Sequence, residues 1–111
     1  MSHLASPGTT FEGIATMAGM QVDIVWWFEK LNFAEGKFTF GQRLSLEGNE
    51  LESSVGSGTF VQKEGVDEFI FEDFQTNFVG NINHSTGKFT ATATQKEGGM
   101  TGSMEMTQMM S

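Results

Sequence analysis

The sequence contains no cysteine, which excludes disulfides and thiolate metal sites and leaves the redox compartment open. Basic residues are scarce, with six Lys and Arg against 14 Asp and Glu, a net charge of -8. A field of that sign repels phosphate backbones and anionic bilayers, so nucleic acid and membranes are not expected partners. Its expected benefit is solubility. No apolar run approaches the roughly 18 residues of a membrane-spanning helix. The longest, Ile24-Val25-Trp26-Trp27-Phe28, is far too short. Met1 to Thr10 lacks a basic region followed by an apolar stretch, so no secretory signal is expected and the cytoplasm is the default location. Tyrosine is absent and the single proline is Pro7. Residues 1–9 read as a flexible arm ending at Pro7-Gly8, and residues 10–111 as one domain. No dinucleotide loop, phosphate loop, zinc spacing or catalytic triad is visible, and no cofactor is expected.

What the chain does have is regular glycine punctuation. Gln62-Lys63-Glu64-Gly65 recurs as Gln95-Lys96-Glu97-Gly98, and Glu35-Gly36-Lys37 is a relative. Between the breaks, apolar and polar residues alternate at period two, the pattern of half-buried strands. The eleven Phe and two Trp supply fully apolar rings suited to an interior. Strands are predicted at Thr10 to Ala18, Met20 to about Leu31, Lys37 to Glu47, Leu51 to Gln62, Lys88 to Gln95 and Met100 to Thr107. A short helix over Val22–Leu31 competes, but β-branched and aromatic residues favour a strand there. Gly48-Asn49 and Asn83-His84-Ser85-Thr86-Gly87 read as turns.

Val66 to Ile82 is ambiguous. Phe69 and Phe71 have odd parity, whereas Phe74, Phe78 and Ile82 have even parity. Either a bulge or a turn must lie within Glu72–Gln75, giving seven strands or eight. All connections are short, so successive strands should pair antiparallel in a meander. With one apolar face per strand and no helix to cover it, the fold is all-β, an up-and-down barrel, with a two-sheet sandwich as the alternative. With seven strands, the turns at Glu35-Gly36, Glu64-Gly65 and Glu97-Gly98 share one rim. An eighth strand moves Glu97-Gly98 to the other rim and brings the His84 turn in its place.

Several residues could carry chemistry. An apolar pocket walled by Trp26, Phe28, Phe38, Phe40, Leu44 and Phe60 would face small residues, Gly13, Ala15, Ala91, Ala93 and Gly102. The competing reading is that the large side chains fill the space over the small ones. Gln42 shares the parity of Phe38 and Phe40, and a buried amide needs a partner: Asp73, water or a ligand. Asp73, if it faces inward, and His84 are the candidate acid–base groups. The pairs Asp67-Glu68 and Glu72-Asp73 lack the spacing of a calcium loop. Met100, Met104, Met106, Met109 and Met110 are soft ligands for Cu(I), although methionine also fills core gaps. His84 and Ser85 are adjacent, which suits a turn better than a nucleophile pair. Val25 and Trp27 lie on the outward face and suggest an interface.

Three functions compete on these residues. The first is a binding barrel for an apolar or aromatic small molecule. The second is a module that self-associates through Val25 and Trp27. The third is a cofactor-free isomerase or cyclase working inside the barrel. The expected partners are accordingly a small apolar ligand and further copies of the chain.

Overall fold

A computed structural model describes residues 8–17 and 19–109. Of the arm at residues 1–9, only Gly8 and Thr9 fall within the described residues, and both hydrogen-bond the backbone of Phe28. The alternating segments fold as eight strands. They are β1 (Thr10–Met17), β2 (Met20–Asn32), β3 (Lys37–Leu46), β4 (Asn49–Lys63), β5 (Val66–Glu72), β6 (Thr76–Asn83), β7 (Lys88–Gln95) and β8 (Thr101–Gln108). Each pairs antiparallel with the next, and β8 pairs back onto β1, from Phe11↔Gln108 to Met17↔Gly102. Closure removes every sheet edge and sets the sandwich alternative aside. No helix among the described residues is long and apolar enough to cross a membrane, a statement that has no bearing on strands.

The ambiguous stretch is a turn, not a bulge. Asp73 Oδ1 accepts hydrogen bonds from the backbone N–H groups of Gln75 and Thr76, each at 2.8 Å. The Asp73 N–H in turn donates to the Thr76 carbonyl at 3.0 Å. An Asp side chain that mimics a backbone turn in this way is the usual device for reversing a chain. The reversal reconciles the two parities, because Phe69 and Phe71 on β5 and Phe78 and Ile82 on β6 are all buried. Phe74, at the tip, is exposed.

Eight strands fix the rims. One rim carries the turns at Gly19, Glu47-Gly48, Asp73–Gln75 and Glu97–Gly99; the other carries those at Phe33–Gly36, Glu64-Gly65 and His84–Gly87. The β3–β4 turn centres one residue earlier than the sequence suggests. Glu47 (φ 53°) and Gly48 (φ 85°) are both left-handed, as a tight two-residue hairpin requires. Glu47 is the one non-glycine residue with positive φ among the described residues.

The interior divides along the barrel axis. Toward the His84 rim and the middle, Phe11, Trp26, Phe28, Phe38, Phe40, Phe60, Phe69, Phe71 and Phe89 form one buried ring cluster. Trp26 stacks on Phe40 at 5.1 Å and 16°, and meets Phe28 and Phe89 edge-on at 4.7 and 4.9 Å. Such contacts add modestly to the burial of each ring. The Trp26 Nε1 finds no acceptor in this ring-lined environment. Toward the Asp73 rim the inward positions are smaller or polar: Ala15, Ile24, Gln42, Leu44, Thr76, Ala93 and Met104.

Candidate functional site

The mouth at the Asp73 rim holds a cavity of about 230 Å³. Its apolar lining includes Ala15, Ile24, Leu44, Phe78, Ala93 and Met104. Phe78 is held in place by stacking on Phe71, with centroids 4.7 Å apart and planes 12° from parallel. The polar lining includes Gln42, Glu52, Asp73 and Thr76. The cavity exists because no aromatic residue projects from β1, β7 or β8 at this level, where the inward side chains are Ala15, Ala93 and Met104.

Gln42 is the best-defined polar group in that wall. It is 3% exposed, yet its amide is only partly matched. Nε2 donates to Asp73 Oδ2 at 2.9 Å and to Ser54 Oγ at 3.1 Å. Oε1 has no hydrogen-bond partner among the described residues. The amide orientation follows from its neighbour, since the reverse would set Oε1 against the Asp73 carboxylate. Of the three partners the sequence leaves open for Gln42, the structure places Asp73 beside it. Parity alone puts Gln42 inside, but finding Asp73 there requires the turn.

The aromatic residues expected as pocket walls lie elsewhere. Trp26, Phe28, Phe38, Phe40 and Phe60 pack against one another or against their neighbours on β5. Of the expected set, Gln42 and Leu44 line the mouth cavity. From the expected small-residue wall, Ala15 and Ala93 line it as well. Sequence reasoning missed Glu52, Thr76, Phe78 and Met104 as lining residues. The signal for Glu52 was its even parity on β4, shared with Ser54 and the inward Phe60.

Asp73 and His84 sit on opposite rims, so the two acid–base candidates cannot share one substrate. Both Asp73 oxygens are occupied, one by the turn and one by Gln42. At the other end, His84 Nε2 lies 3.0 Å from Oδ1 of Asp67, whose side chain is 3% exposed. The approach is not an aligned hydrogen bond, because that oxygen has no directed donor. Ser85 belongs to the turn, its N–H donating to Asn83 Oδ1 at 2.8 Å. Strand alternation splits both acidic pairs across the barrel wall. Asp67 and Asp73 face in, whereas Glu68 pairs outside with Lys63 at 3.0 Å and Glu72 with Lys96 at 2.8 Å.

The methionines do not converge. Met104 and Met106 are buried in the core, and Met100 and Met109 are exposed at opposite ends of β8. Nine residues of extended chain separate those ends by roughly 30 Å. Met110 lies outside the described residues. Among the described residues no group of three or more His, Cys, Asp or Glu is arranged to hold a metal ion.

On the outer wall, Val25 and Trp27 are half-buried. Trp27 lies across Gly41, its cross-strand partner on β3, so closely that a Cβ there would come within 2.4 Å of the indole. Its Nε1 donates to Glu29 at 3.3 Å. The apolar groups that do stand exposed include Ile70 and Val79, direct cross-strand partners on β5 and β6. They border a shallow trough of about 910 Å³ that runs from the end of β2 across β3 to β6.

No protein-family model matches this chain, and a search of curated proteins finds no relative.

Proposed function

We infer that the protein binds one small apolar or aromatic molecule in the mouth of the barrel at the Asp73 rim. The observation that supports this reading most is the uneven filling of the interior. Rings pack one half, and the other half keeps a hollow of about 230 Å³ over Ile24 and Phe78. A closed apolar cavity of about 150 Å³ is enough for benzene. The mouth therefore has room for a single ring with a short chain. Small-molecule sites combine apolar walls with a few fixed polar groups, and the Gln42–Asp73 pair is such a group. Catalysis asks for more than this wall offers, since Asp73 is committed to its turn and no second acid–base side chain accompanies it except Glu52.

The test is to add 2-phenylethanol and follow the methyl resonances of Ala15, Ala93 and Ile24. Saturable shifts at these methyls, with none at Val61 or Val79 on the outer wall, are expected. Shifts confined to the outer wall, or no saturable shift, would overturn the reading.

A further inference from the structure

We propose that the ligand of the mouth is an apolar amine, bound as its ammonium ion. This rests on the reading of the mouth as a small-molecule site and specifies what that site selects. The first support is the charge of the lining. Its ionisable side chains are Glu52 and Asp73, and it contains no Lys, Arg or His. Basic residues near this rim are already engaged outside the wall: Arg43 with Glu50 at 3.3 Å and Lys96 with Glu72 at 2.8 Å. The net charge of -8 adds a field of the same sign. An anionic ligand would therefore meet two carboxylates with no counter-charge, and an ammonium would meet two partners.

The second support is independent and concerns hydrogen bonding. Gln42 is 3% exposed, and its N–H groups are committed to Asp73 and Ser54. What remains unmatched is an acceptor, Oε1. A buried acceptor without a donor is costly, so a ligand that brings an N–H gains from it and one that brings only a lone pair does not. Oε1 is sealed from solvent, so a ligand reaches it by shifting the lining. Met17, Met20 and Met104 are in that lining, and unbranched thioethers rearrange readily. Hydrogen-bond polarity thus disfavours a carboxylate and accepts a donor, and charge selects the ammonium among donors. Apolar area holds the hydrocarbon part against Ile24, Leu44 and Phe78, and Asp73 is pre-positioned by its turn.

The experiment compares three ligands of one ring and similar length by calorimetric titration: 2-phenylethylamine, 2-phenylethanol and 3-phenylpropanoate. The amine should bind about tenfold more tightly than the alcohol, with the carboxylate weakest, and raised salt should shrink the gap. Glu52→Gln should lower amine affinity about threefold and alter alcohol affinity by less, so that the gap between them narrows. Glu52 makes no ion pair among the described residues, so this variant keeps the fold. Asp73→Asn is the sharper variant. Asn keeps a side-chain oxygen for the turn but offers an N–H to Gln42, whose amide then turns over and presents its own N–H groups. The amine preference should collapse in that variant. Equal binding of amine and alcohol in the wild type, or a gap that survives both substitutions, overturns the proposal while leaving the binding reading intact. Failure of all three ligands to bind overturns both.

Discussion

The two halves of the barrel interior are built from the same alternating strands but do opposite things. In the half toward the His84 rim, Phe11, Phe28, Phe38, Phe60, Phe69 and Phe89 pack into one buried cluster of rings. In the half toward the Asp73 rim, β1, β7 and β8 offer Ala15, Ala93 and Met104, and the polar group Gln42 is tied past β4 to Asp73. A small barrel can be filled by its own side chains or can leave space for one small ligand. This one does each in a different half. The packed half holds the fold, which frees the mouth from having to be well packed.

The largest expected effect breaks the packed half. Phe28→Ala removes a fully buried ring that meets Phe11, Trp26, Phe38 and Phe69. It should cost about 3–5 kcal/mol of unfolding free energy in urea titration, against about 1–2 kcal/mol for Leu44→Ala in the half-open mouth. Similar costs at the two positions would erase the distinction between the halves. A second effect sharpens it. Ala93→Phe makes the mouth resemble the packed half, and should weaken 2-phenylethanol binding by more than about tenfold, roughly 1.4 kcal/mol, while the urea midpoint stays close to that of the wild type. Undiminished binding would place the ligand elsewhere. The smallest effect lies outside the comparison. Glu47→Gly relieves a left-handed glutamate in the β3–β4 turn and should raise stability by about 0.5 kcal/mol, without changing ligand affinity. A loss of stability would mean that the Glu47 side chain contributes more than its backbone costs.

Much of the fold is legible in the sequence, because parity along a strand maps directly onto inside and outside. The clash between Phe69 and Phe71 on one side and Phe78 and Ile82 on the other marks the segment that turns, and the structure makes it a turn through Asp73. Gln42 is placed inside by the same rule. The site is less legible, for a physical reason. Parity says that Trp26, Phe28, Phe38 and Phe40 face inward, but not how far along the axis each ring reaches. Whether rings enclose space or occupy it depends on stacking such as Trp26 on Phe40 and Phe71 on Phe78. The Asp67–His84 contact is hidden for another reason. It appears only once the strand count puts both residues at one rim. The β3–β4 turn shifts by one residue because Glu47 accepts a backbone conformation usually left to glycine or asparagine.

Trp26 and Trp27 are adjacent in sequence and stand on opposite faces of one strand. One indole is enclosed by phenylalanine rings; the other lies on the outer wall against Gly41 and Glu29. The protein's intrinsic emission is therefore a sum of two colours. A blue component from Trp26 should resist acrylamide, and a redder one from Trp27 should be quenched by it. With Trp27→Phe, the remaining signal becomes an optical gauge of the interior alone, seated one strand away from Gln42.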